Sequence, residues 1–225
     1  MKIFTIPGLE IEFIQHRYSQ AVSSDTFALY SNARKVLSSY TYLSEQKKAP
    51  LKVMDLGTGN GILLLMLAKE FMDVYYTGIE ILKELVDIAK LNLERLSTYL
   101  KKKVNYQIIN ANYNELQGNI PKDSSFDLII SNPPYYPIGD GKVSSVYEKA
   151  VSRFELTATM SELLKCIKTY LSVTGKAFVI YPNFRMKDME KLCNELALIC
   201  FYKKEASDLD IQCAKNRIIF EISHA

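Results

Sequence analysis

The 225-residue chain predicts an α/β fold of the Rossmann-like kind, a mainly parallel seven-stranded sheet flanked by helices. Three observations carry that expectation. From about residue 50, short β-branched runs alternate with longer helical patterns, the rhythm of parallel strands joined by crossover helices. A glycine-rich loop, DLGTGNG at Asp55 to Gly61, joins the first such strand to the first such helix. The apolar run FDLII ends abruptly in SNPPYY, Ser131 to Tyr136, so that a buried strand would deliver an amide, two prolines and two aromatic rings to one edge of the sheet.

Taken in order, LKVMDLG is the first strand of the core and a helix follows from Gly61 to about Phe71. VYYTGIE is the second strand, and ILKELVDIAKLNLERL carries apolar residues at helical spacing behind it. VNYQIINA, FDLIISN and KAFVIYP are the third, fourth and fifth strands. Thr159 to Leu171 reads as a helix stopped near Gly175, Lys187 to Leu198 as another, and CFYKKE and NRIIFEIS as two closing strands. The first 50 residues differ in texture, with a helix expected over Thr26 to Tyr42 and a connector at Gln46 to Pro50. They are too few to fold alone, so residues 1–50 are expected to pack as an extension on a core domain of residues 51–225. No internal repeat or low-complexity tract is present.

Composition narrows the function classes. The longest strongly apolar stretch, Ile62 to Ala68, is far short of the roughly 18 residues that span a bilayer, and MKIFTIPGLEIEF lacks the basic start and apolar block of a signal peptide. A cytoplasmic protein with no membrane partner is expected. The four cysteines, Cys166, Cys193, Cys200 and Cys213, form no CxxC pair, which points to reduced thiols rather than to zinc or disulfides. With only His16 and His224 there is little material for a histidine triad or a metal site, and no metal is expected. The formal net charge of +3 gathers in short runs at Lys101 to Lys103, Lys203 and Lys204, and Lys215 to Arg217. Such runs are either solvated faces or nucleic-acid contacts.

In DLGTGNG, Gly57, Gly59 and Gly61 permit positive φ and let a ligand approach the backbone, while the following helix N-terminus offers unpaired amides. The dinucleotide spacing G-x-G-x-x-G fails, because Ile62 stands at its last position. Glu80, about 20 residues after the loop at the end of the second strand, is placed to accept ribose hydroxyls. A glycine loop without pyrophosphate spacing, followed by such an acid, suits a nucleoside cofactor lacking phosphates, S-adenosylmethionine foremost. A tight turn, with Asp55 and Glu80 acting as caps, is the alternative.

The fourth strand would end beside that cofactor, since ligands collect at the carboxyl edge of such sheets. Methyl transfer to a planar amine needs acceptors for its two N–H bonds as positive charge develops, and the Asn132 side-chain carbonyl with the Pro133 backbone carbonyl can supply them. Pro133 and Pro134 stiffen the corner, and Tyr135 can lie against an aromatic ring swung out of a stack. Tyr136 has no clear role. A rigid surface turn is the alternative.

Together DLGTGNG, GIE and SNPPYY resemble the class I S-adenosylmethionine-dependent amino-methyltransferases, and the chain looks like the bacterial family that methylates the exocyclic amine of adenosine 37 in valine tRNA. VSSDTFAL at Val22 to Leu29, the segment GDGKVSSVYEKAVSRFELTATMSELLK, and YPNFRMKDM are similar to segments of that family, so the resemblance covers nearly the whole chain. It implies the class I methyltransferase fold, S-adenosylmethionine as cofactor and RNA, tRNA above all, as partner. It further implies a cofactor site of Ser24, Asp25, Asp55, Gly57, Thr58, Gly59, Asn60, Gly61, Glu80, Ile81 and Asn112, with Asn132, Pro133, Pro134 and Tyr135 at the target amine. Asp25 stands equally as an N-cap. Asn112 is a departure, since the family usually has an Asp there that meets the adenine amine; the Asn oxygen still accepts, without charge assistance.

Rival readings share Asn-Pro-Pro-Tyr. Glutamine methylation on a protein substrate belongs to a family with a separate helical domain ahead of the core, for which about 50 residues are too few. A non-catalytic RNA-binding module on the same fold is the rival from another class. Arg17, Arg34, Lys142, Lys149, Arg153 and Arg185 are the basic residues expected to meet an RNA backbone, if they are not merely solvated. The oligomeric state is not encoded in any legible way.

Overall fold

A computed structural model describes residues 2–6, 9–16, 22–44, 49–135, 159–203 and 216–225. It begins with an antiparallel hairpin of β1 (Lys2–Ile6) and β2 (Ile11–Gln15), in which Ile6 faces Ile11. The reading of the first 50 residues misses this hairpin, because five-residue strands offer too few alternations to stand out. Helix α1 (Ser24–Ser44) follows, two residues longer at each end than expected.

The core then runs β3 (Lys52–Leu56), α2 (Ile62–Glu70), β4 (Tyr75–Glu80), α3 (Lys83–Leu100), β5 (Asn105–Asn110) and β6 (Phe126–Ser131). It continues through α4 (Met160–Tyr170), β7 (Leu171–Pro182), a 3₁₀ turn at Asn183–Arg185, α5 (Met186–Glu195), β8 (Leu198–Lys203) and β9 (Arg217–His224). The seven core strands form one sheet in the order β5-β4-β3-β6-β7-β9-β8. The first five are parallel, while β9 runs antiparallel to both its neighbours.

Local chemistry explains several boundaries. In α2 every residue from Leu63 to Ala68 is buried, as an all-round apolar helix requires. Helix α4 starts with a capping box in which Thr159 Oγ1 accepts from Glu162 N at 3.3 Å and Glu162 Oε2 accepts from Thr159 N at 2.7 Å. Tyr170 ends the helix and Leu171 opens β7, with Gly175 inside the strand, where a Cβ would come 2.9 Å from the Phe126 carbonyl oxygen. The register between β6 and β7 shifts at that place, and glycine admits the close approach.

Helices α1, α2 and α3 pack side by side, and α4 packs on α5 and β7. Right-handed crossovers put these two groups on opposite faces of the sheet. Apolar side chains of the hairpin, of α1 and of the sheet form one continuous core. Because β4 and β5 lie on one side of β3 while β6 and β7 lie on the other, the carboxyl ends of β3 and β6 flank the crevice where strand order reverses. No helix among the described residues is long and apolar enough to cross a membrane. Cys166 and Cys193 are buried, Cys200 is partly buried, and all three are free thiols; Cys213 lies outside the described residues.

Candidate active site

The glycine loop is built from backbone hydrogen bonds. Gly57 N and Thr58 N both donate to Ile79 O at 2.9 Å, which laces the end of β3 to β4. Gly59 N donates to Glu80 Oε2 at 2.8 Å and Leu82 N to Glu80 Oε1 at 2.9 Å, so both oxygens of this carboxylate are anchored by the loop and by the turn after β4. Each keeps lone pairs for a further donor. Burial pushes Glu80 above the usual carboxylate range, opposed by those amides. Beneath the loop Asp55 accepts from Thr58 Oγ1 at 2.8 Å, and burial raises it to about 7.

The three loop glycines divide the work. All have positive φ, at 77°, 57° and 77°. A Cβ on Gly57 or Gly59 would meet nothing within 4 Å, so both face open space at the carboxyl edge. One on Gly61 would fall 3.0 Å from Ala89 Cβ, so this glycine lets α2 approach α3. Asn60 is 3% exposed, and its Nδ2 has no hydrogen-bond partner among the described residues.

Two asparagines missed by motif reading brace this half of the site. Asn92, fully buried on α3, accepts from Ile14 N at 2.7 Å and donates to Ile14 O at 3.0 Å and to Asn60 O at 2.9 Å. It ties the hairpin to the loop, and a polar residue in the buried stripe of α3 was the signal for it. Asn110 at the end of β5 donates to Glu80 O at 3.0 Å and to Ile81 O at 2.9 Å. Asn112, two residues on, is half-buried and turns the chain, with its backbone oxygen accepting from Glu115 N at 2.9 Å.

The second half is the Asn-Pro-Pro-Tyr corner. Ser131 Oγ donates to Leu56 O at 2.7 Å and so fastens the end of β6 to the end of β3, beside the glycine loop. Asn132 is half-buried, Pro133 buried, Pro134 half-buried, and Tyr135 6% exposed. The Tyr135 hydroxyl donates to Asn132 Oδ1. Arg185 Nη1 donates to Tyr135 O at 2.9 Å while its Nε donates to Asp188 Oδ2 at 2.9 Å. Tyr181 lies edge-on to Tyr135 with centroids 5.9 Å apart.

Several expectations need revision. Arg185 is 7% exposed and anchors the corner internally, which commits it to an intramolecular contact rather than to a phosphate backbone, while Arg34 pairs with Glu70 at 2.6 Å on the exposed surface. Asp25 is not an N-cap: it is buried inside the first turn of α1, and Ser23 precedes the helix instead. Its Oδ2 lies 3.6 Å from Arg217 Nε, and Ser24 is half-buried beside it. Tyr136, Arg17, Lys142, Lys149 and Arg153 lie outside the described residues, as does most of the segment from Gly139 to Lys165.

An orphaned buried amide at Asn60, open space over Gly57 and Gly59, an acid at the end of β4 and a polar turn after β5 fit a nucleoside cofactor with a charged tail. Comparison with known proteins agrees. A family profile described as a methyltransferase domain matches residues 47–222. The tRNA1(Val) (adenine(37)-N6)-methyltransferase of Aliivibrio fischeri is 30% identical over 143 residues, covering 61% of this chain and 54% of that protein. Its namesake in Trichodesmium erythraeum is 29% identical over 177 residues, 76% of this chain and 69% of that one. The chain thus aligns with about half the length of the first of these relatives. A solved methyltransferase from Pyrococcus furiosus superposes with a TM-score of 0.56 over 96% of this chain and 89% of that one, at 18% identity, and shares the fold. The chain belongs to the methyltransferase-domain family and has the class I S-adenosylmethionine-dependent methyltransferase fold.

Proposed function

We propose that the protein transfers a methyl group from S-adenosylmethionine to the exocyclic amine of adenine in RNA, tRNA next to the anticodon above all, and that it does so in the cytoplasm. The observation that carries this reading is the Ser131 to Leu56 bond, which sets the Asn-Pro-Pro-Tyr corner against the glycine loop. The similarity to tRNA1(Val) (adenine(37)-N6)-methyltransferases supports the substrate class.

Gly57 to Asn60 would hold the methionine part of the cofactor, Glu80 its ribose and Asn112 its adenine. When bound, the cofactor supplies a sulfonium methyl that is already strongly electrophilic. What the chain must do is present the amine. Asn132 Oδ1 and Pro133 O accept its two N–H bonds, which orients the nitrogen lone pair and offsets the positive charge that grows on it. The Tyr135 hydroxyl, donating to Asn132 Oδ1, holds that acceptor in place and leaves it a second lone pair for the amine. The surplus proton leaves to water once the N–C bond has formed.

Incubation with isotopically labelled S-adenosylmethionine and undermethylated total tRNA, followed by digestion and mass spectrometry, tests the proposal. Label on the exocyclic amine of adenosine is expected. No label in any nucleoside, from a preparation that binds the cofactor, would refute it and turn attention to a protein glutamine or another amine.

A further inference from the structure

Arg217 belongs to no motif, yet it reaches the amine slot. It is the first residue of β9, which pairs antiparallel with β7 so that Arg217 stands opposite Pro182 at the carboxyl edge of the sheet. Its guanidinium carbon lies 4.4 Å from the centroid of the Tyr135 ring. Its Nε is buried with no hydrogen-bond partner among the described residues, and its ion-pair partner, Asp25 Oδ2, stands 3.6 Å away. A largely buried cation with so loose an ion pair also lies over an aromatic face, and cation–π attraction grows when the cation is desolvated.

Tyr135 in turn is held by four neighbours. Arg217 covers a face, Tyr181 approaches edge-on, Arg185 fixes the backbone oxygen, and the hydroxyl ends on Asn132 Oδ1. We infer that Arg217 is a positioning residue for methyl transfer, acting through the Tyr135 ring to set the direction of the Asn132 acceptor. The inference rests on the methyl-transfer reading above. It also gives Asp25 a part: the first turn of α1 is joined through Arg217 to the target side of the site.

The test compares Arg217→Met, which keeps length and removes charge, with Arg217→Lys, which keeps the cation. In protein labelled with 3-fluorotyrosine, the fluorine resonance lost in Tyr135→Phe reports the ring directly and needs no substrate. That line is expected to shift in Arg217→Met and to return part of the way in Arg217→Lys. In parallel, Arg217→Met should slow single-turnover methylation about 10-fold or more, with KM for RNA and the Kd for S-adenosylhomocysteine within about 2-fold of wild type. In a Tyr135→Leu background the same substitution should add little further loss. An unmoved fluorine line, an unchanged rate, or an equal loss in the Tyr135→Leu background would overturn the inference. Should Arg217→Met fail to fold, Asp25→Asn serves instead, with a smaller shift of the same line expected and no shift counting against. If the wild-type protein methylates no RNA, the proposed function fails while the fluorine line still decides whether Arg217 clamps the ring.

Discussion

The two halves of the site are held in different ways. The glycine-loop half is tied chiefly within its own βαβ unit, by amides of Gly57 and Thr58 to Ile79 and of Gly59 to Glu80 about 20 residues away, with the Asn92 side chain adding a link to the hairpin. The Asn-Pro-Pro-Tyr half is tied by side chains from remote parts of the chain: Arg185 on the turn after β7 and Arg217 at the head of β9. A βαβ unit positions its own loop through its own ladder, whereas a corner that must read an incoming base borrows its rigidity from strands added later in the chain. The two halves should therefore fail differently when altered.

The largest effect is expected at the corner. Asn132→Ala removes one amine acceptor and should lower the single-turnover rate about 100-fold or more, as measured by rapid quench with saturating cofactor. Next comes the loop. Gly57→Val combines left-handed backbone at φ 77° with a branched side chain in the open cradle, and should weaken S-adenosylhomocysteine binding about 10-fold or more by calorimetry. Gly61→Ala sharpens the contrast inside one motif: its Cβ would press on Ala89 at 3.0 Å, so the loss should appear in stability, about 1–3 kcal/mol, seen as a drop of several degrees in melting temperature. A further effect concerns pH. Burial raises folded Asp55 to about 7, above its unfolded value near 4, so the unfolded chain releases this proton first and stability falls as pH rises between those values. Asp55→Asn should flatten that part of the melting-temperature profile, and an unchanged slope would show that Asp55 ionises normally.

Legibility in the sequence follows the same division. The alternation of strands and helices, the glycine loop and Glu80 all lie within short spans, where period and spacing carry the information, and the mainly parallel seven-stranded sheet is present as expected. The hairpin was too short to show a period, and the start of β7 was misjudged because Gly175 resembles a helix stop while in fact lying inside the strand and relieving close contact between β6 and β7. Arg217 was read only as part of the basic run Lys215 to Arg217, a solvated face or a nucleic-acid contact, whereas its side chain is largely buried against Tyr135. Its place depends on β9 inserting between β7 and β8, and sequence patterning shows that a strand exists but not which neighbours it takes. Asn92 lay between, since an amide in an apolar helical stripe announces a buried hydrogen bond without naming the partner.

On the proposed function, one half of the site binds the cofactor while the other directs its methyl group to an amine. Titrating S-adenosylhomocysteine into Asn132→Ala and Gly57→Val by calorimetry, beside wild type, tests it most directly. Affinity within about 2-fold of wild type is expected for Asn132→Ala, and a loss of about 10-fold or more for Gly57→Val. Equal losses in both variants would contradict it, because the corner would then be part of the cofactor cradle and not a separate slot for the target.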